Sequence, residues 1–144
     1  MSIAHLLLVL GLLLGPAAAP VAEPMAVKLY KDPWCGCCTQ YGKHLEAHGF
    51  AVEVEETSNL AEIKRQAGVP EGLEGCHTLK VGGYVVEGHV PVAVLLRLLS
   101  ERPAIAGISL PGMPEGSPGM PGEKSAPFTI HAFGDNGLSM YAVE

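Results

Sequence analysis

The chain has 144 residues, 48% of them apolar and 6% aromatic, with a formal charge of −6 from nine Lys/Arg against fifteen Asp/Glu. That length holds one domain, and an acidic balance with no basic run argues against nucleic acid or an anionic membrane surface as partner. With 17% charged residues a charged disordered chain is excluded, and four cysteines with six histidines mark where chemistry is to be sought.

In chain order, Ile3 to Leu14 is an apolar run broken only by Ala4, His5 and Gly11, and Pro16 to Ala22 is rich in small residues. The run is shorter than the roughly 20 apolar residues that span a bilayer. Residues 1–22 therefore read as a secretory signal cleaved after Ala19 or Ala22, with an uncleaved anchor as the alternative. The mature domain of about 120 residues is expected in an oxidising compartment, with no stable membrane insertion.

Ala26 to Tyr30 alternates as a strand and ends at Asp32-Pro33, a turn. Cys37 to His48 reads as a helix closed by Gly49, with Tyr41 and Leu45 on one face. Phe50 to Glu56 alternates as a half-buried strand. Ser58 or Asn59 caps a helix with Leu60, Ile63 and Ala67 at helical spacing, closed by Gly68. Thr78 to Val81 and Tyr84 to Glu87 form a hairpin through Gly82-Gly83, and Pro91 opens a helix through Glu101. Residues 103–127 hold six of the twelve prolines and five glycines and read as an irregular segment. Phe128 to Phe133 and Leu138 to Val143 form a C-terminal hairpin through Asp135-Asn136-Gly137.

The order β-α-β-α-β-β-α is that of the thioredoxin fold, and Trp34-Cys35-Gly36-Cys37-Cys38 resembles the Trp-Cys-Gly-Pro-Cys site of thioredoxins. The fold class expected is α/β, thioredoxin-like: a central mixed sheet flanked by helices, then the Pro/Gly/Met segment and the hairpin. Cys35 and Cys38 make a C-x-x-C at a helix N-terminus, where the dipole stabilises thiolates. Cys76-His77-Thr78, just before the third strand, takes roughly the place of the thioredoxin cis-proline, and Glu87-Gly88-His89-Val90 leaves the fourth strand at the same edge. Three loops thus deliver four thiols and two imidazoles to one place, with Trp34 and Tyr84 expected to pack around it.

Two chemistries compete there. Disulfide exchange would use Cys35 and Cys38. Metal binding would also use Cys37 and Cys76, since convergent thiolates suit a soft metal. Against a single tetrahedral zinc, the side chains of adjacent Cys37 and Cys38 are expected to diverge along the helix start, which suits bridged Cu(I) ions better. Pro111-Gly-Met113-Pro114 repeats as Pro118-Gly-Met120-Pro121, and thioethers remain Cu(I) ligands in an oxidising compartment. The segment is expected to have few contacts of its own and to close over the site only when metal binds. His44 and His48 have metal-pair spacing but read as exposed helical residues, and His131 as a strand surface residue.

Cys35-Gly-Cys-Cys38, Gly68-Val-Pro70, Cys76-His-Thr78, Val81-Gly-Gly-Tyr84, Glu87-Gly-His-Val-Pro91 and Pro111 to Met120 together resemble the CopG-type copper-resistance proteins of bacteria. The resemblance implies a periplasmic copper-binding protein holding a cysteine-bridged Cu(I) cluster on Cys35, Cys37, Cys38 and Cys76. His77, His89, Met113 and Met120 are its further candidate ligands. It implies sequestration, transfer or copper redox as the role, and a copper exporter or periplasmic copper oxidase as partner. The alternative is a thiol-disulfide oxidoreductase in which Cys35 and Cys38 react. The organisation expected is a signal over 1–22, a thioredoxin-like core over 23–102, the Met-bearing segment over 103–127 and the hairpin over 128–144.

Overall fold

Residues 23–144 are described by the computed structural model, and the expected signal over 1–22 lies outside them. In chain order the elements are β1 (Met25–Lys31), α1 (Gly36–Ala47), β2 (Phe50–Glu56), α2 (Leu60–Gln66), β3 (His77–Val81), β4 (Tyr84–Gly88), α3 (Val92–Glu101), β5 (Gly107–Leu110), β6 (Thr129–Gly134) and β7 (Gly137–Val143). They build one mixed sheet in the order β2-β1-β3-β4-β5-β6-β7. The β-α-β-α-β-β-α order expected for the first part of the chain is present.

β1 and β2 pair in parallel because α1 carries the chain across between them, and β4 and β5 do so because α3 does the same. The other pairings are antiparallel. Alternate residues of β1 are buried, Val27, Leu29 and Lys31, as a period of two requires. β2 is an edge strand: Phe50 is buried but Val54 is 49% exposed, so its inward face is shallower than its alternation suggests. α1 turns Tyr41, Gly42 and Leu45 inward, and α3 buries Val92, Val94, Leu95 and Leu98. With Leu29, Leu79, Val86, Ile108 and Ile130 from the sheet they form the core. Each such side chain contributes about 1.5–3 kcal/mol by leaving water.

β5 departs from the expectation of an irregular stretch over 103–127. All four of its residues, Gly-Ile-Ser-Leu, are buried between β4 and β6. A four-residue central strand has no room to show a period, and its pairing partners define it. The C-terminal hairpin docks onto β5 and extends the same sheet rather than forming an appendage. No helix among the described residues is long and apolar enough to cross a membrane.

The register brings four connections to one end of the sheet. Lys31 pairs with His77, Thr78 with Glu87 and Gly88 with Leu110. The loop after β1, the loop before β3, the loop after β4 and the segment after β5 therefore meet there.

Candidate metal centre

The loop after β1 is tightened by Asp32, whose carboxylate accepts the Trp34 N–H at 2.8 Å and whose carbonyl accepts the Cys35 N–H at 3.0 Å. Cys35 becomes the N-cap of α1, its sulfur accepting the Cys38 N–H at 3.3 Å, one of the donors that a helix start leaves without an intrahelical partner. Cys35 and Cys38 are joined as a disulfide with Cα atoms 5.4 Å apart, while Cys37 and Cys76 are free. The Cys37 sulfur lies 3.5 Å from that of Cys35 and 3.8 Å from that of Cys76, and the Cys38 sulfur 3.4 Å from that of Cys76. All four ligand atoms lie within 4.8 Å of one another.

The expected divergence of Cys37 and Cys38 is therefore absent. Side chains in a helix lean back toward its N-terminus, and both sulfurs reach Cys76 across the gap. A tetrahedral ion with metal–sulfur bonds of about 2.3 Å has sulfur–sulfur edges of about 3.8 Å, so spacing alone does not disfavour one ion. All four sulfurs can act as thiolates only once the disulfide is reduced.

Cys76 also belongs to a second group with His77 and His89, again within 4.8 Å. Its sulfur is 2.9 Å from His89 Nε2 and 3.6 Å from His77 Nδ1. His89 Nδ1 lies 2.6 Å from the Pro118 carbonyl oxygen, which can only accept, so Nδ1 carries the proton and Nε2 turns its lone pair to the sulfur. The His77 ring is fully buried, and its Nε2 has no hydrogen-bond partner, alone among the buried side-chain nitrogens and oxygens of the described residues. Tyr41 packs against both imidazoles at centroid distances of 4.5 and 5.4 Å and donates its hydroxyl to the Val90 carbonyl at 2.9 Å.

Burial sets the protonation states. It pushes the Cys76 thiol up to about 12, Cys37 adding to the effect and the Lys64 charge opposing it, so this thiol keeps its proton at neutral pH unless a cation displaces it. Burial holds His77 well below the ordinary histidine value, the charges of His89 and Lys64 adding, and burial lowers His89 as well. Both rings are neutral donors.

Behind Cys76 lies a buried polar clasp. Glu87 Oε1 accepts the Gly75 N–H at 2.8 Å and contacts Lys64 Nζ, while Oε2 accepts the Thr78 hydroxyl at 2.7 Å. Lys64 Nζ also donates to Thr78 Oγ1 at 3.2 Å. Cys76 is thus held on both sides by one carboxylate. A Cβ on Gly75 would stand 2.6 Å from the Gly88 Cα, so the loop before β3 and the end of β4 touch backbone to backbone.

The segment after β5 closes the site from above. A Cβ on Gly119 would lie 2.7 Å from the Tyr41 nitrogen and 2.8 Å from the Cys37 carbonyl oxygen, so only glycine allows the segment to rest on the first turns of α1. Its own turns are bonded, Met120 N–H to the Ser117 carbonyl at 2.9 Å and Gly116 N–H to the Pro121 carbonyl at 3.1 Å. The expectation of few contacts is corrected. Met120, half-buried, follows Gly119 directly, whereas Met113 is 44% exposed with a left-handed backbone (φ 51°).

Two solved structures of the copper resistance protein CopG, form 2 and form 1, are each 40% identical to the chain and cover 85% of it, matching over 99% and 98% of their own length with TM-scores of 0.79 and 0.78. This chain belongs to the CopG family of copper-resistance proteins. A family model described as protein of unknown function DUF411 matches residues 73–120, from the Cys76 loop through Met120. No curated protein matches the chain.

In this CopG-family chain the four cysteines, His77 and His89 come together, and His44, His48 and His131 lie outside their groups. Trp34 does not pack around the site, being 92% exposed. Tyr84 sits at the far end of β4, donating to the Pro103 carbonyl at 2.8 Å and holding the end of α3 instead. The buried pairing of Lys64 with Glu87 carries no signal in the sequence, although Glu87 starts the segment expected at this edge. Tyr41 shares one helix face with Leu45 as expected, and the structure adds its contact with both imidazoles.

Proposed function

We infer that the protein binds copper as Cu(I) in a cysteine-bridged cluster on Cys35, Cys37, Cys38 and Cys76, with His77, His89, Met113 and Met120 as outer ligands. The single observation supporting a cluster over one ion is that Cys76 belongs to both the thiolate group and the imidazole group, so that its sulfur could serve two ions at once. The donor set is soft and its imidazoles neutral, which suits Cu(I). The partnerless Nε2 of buried His77 favours a ligand there. The CopG relatives support a copper-related role. Residues 1–22 would direct the chain to the periplasm, where a copper exporter or copper oxidase would exchange the metal.

A second reading is favoured by the Cys35–Cys38 disulfide. Oxidation of those two thiolates to the disulfide releases two electrons, enough to reduce two Cu(II) to Cu(I), or the pair acts on protein disulfides. Replacing Cys37 and Cys76 by serine separates the readings. Multi-copper binding should collapse in that variant, and insulin reduction by Cys35 and Cys38 should survive if the chain is an oxidoreductase. Undiminished copper binding in the double variant would sink the cluster.

A further inference from the structure

Outside the convergent group, the last turn and C-cap of α1 bring a second pair of imidazoles together. His44 and His48 lie four apart on one face, their ring centroids 4.4 Å apart and planes inclined by 46°. His48 Nδ1 is 2.7 Å from the His44 carbonyl oxygen. That oxygen can only accept, so Nδ1 carries a proton and Nε2 is the nitrogen that would meet a metal, the way ligating histidines are commonly held. Partial burial lowers the His44 pKa, and His48 lowers it further. The His44 ring is therefore neutral at pH 7. His44 is half-buried and His48 exposed, so a hydrated ion can reach them.

We propose that His44 and His48 form a separate site for a divalent cation of the first transition row, Cu(II) ahead of Ni(II) and Zn(II), completed by water. Two imidazoles without a thiolate suit borderline divalent ions and not Cu(I), so the site differs in chemistry from the cysteine centre. It lies roughly 10 Å along α1 from Cys37. The net charge of −6 favours cation approach. Site and cluster stand independently, since no thiol is involved.

The rival is that His48 only caps the last carbonyls of α1. The test uses the purified Cys37→Ser, Cys76→Ser chain with its Cys35–Cys38 disulfide intact. It is titrated with Ni(II), which does not oxidise thiols, and followed by amide NMR. Ni(II) at the pair broadens the amides of residues 43–50 first. His44→Ala and His48→Ala each weaken binding at least about tenfold and remove that broadening, with the rest of the spectrum unchanged. Broadening centred on residues 76, 77 and 89, or no binding at millimolar Ni(II), overturns the site. So does a His48→Ala chain that melts earlier but binds Ni(II) as the parent does.

Discussion

Replacing Glu87 by glutamine keeps the shape of the side chain and removes the charge that faces Lys64, which is 5% exposed. Taking one partner from a buried ion pair costs about 3–5 kcal/mol, because the other charge is left without compensation. An escape route sets the ceiling: neutralising an ordinary lysine at pH 7 costs about 4.6 kcal/mol, some 3.4 pH units at about 1.36 kcal/mol each. The amide oxygen of the new side chain would still accept the Gly75 N–H, so that bond adds little to the loss. Lys64→Met is expected to cost about 3 kcal/mol, since the Glu87 carboxylate keeps Gly75 and Thr78 but must be protonated or stay charged without its cation. The double variant buries no charge and is expected to lose less than about 2 kcal/mol, giving a coupling above about 2 kcal/mol. Urea unfolding of the metal-free reduced chain, read as a double-mutant cycle at pH 7, measures it. Singles below about 1 kcal/mol, or singles that add, would refute the reading of the clasp as a buried, mutually dependent pair.

Cys76→Ser removes a ligand from both groups at once, so it should reduce copper per chain more than Cys37→Ser does; equal losses count against the bridging role. Gly119→Ala drives a Cβ into the backbone of Tyr41 and Cys37 and should cost about 1–3 kcal/mol while speeding protease cleavage within residues 111–122. Unchanged cleavage would mean that the segment does not rest on α1. Burial holds His77 well below its ordinary value of 6.5, so the unfolded chain takes up that proton first. Stability of the metal-free chain should therefore be complete above about pH 6.5 and decline below it, by up to about 1.4 kcal/mol per pH unit for this residue. The decline should flatten in His77→Asn, and an equally steep one in that variant assigns it to other groups.

Much of the fold was legible because its segments carry their own signals. Phe50–Glu56 alternates over its whole length and is β2 to the residue, and β1 is only one residue longer at each end than its pattern. β5 was not legible, because Gly107–Leu110 takes its identity from β4 and β6 and is surrounded by Pro and Gly. The convergence of Cys35, Cys37, Cys38, Cys76, His77 and His89 was readable from loops that the strand order sends to one end of the sheet. What lies behind them was not. Lys64 stands one residue past Ile63 on α2, where a lysine reads as solvated, and only its reach to Thr78 and Glu87 reveals a buried role. Trp34 erred the other way: its neighbours suggested packing, but the turn at Asp32 points it to solvent.

Copper binding as a cluster requires the thiolates to hold several ions at once. Its most direct test is metal content with a parallel free-thiol count on the reduced chain, loaded anaerobically with Cu(I) and washed with a competing chelator. More than one copper per chain, with the thiols of Cys35, Cys37, Cys38 and Cys76 all shielded, is the predicted result. No retained copper, with Cys35 and Cys38 cycling as a reversible disulfide, would contradict it.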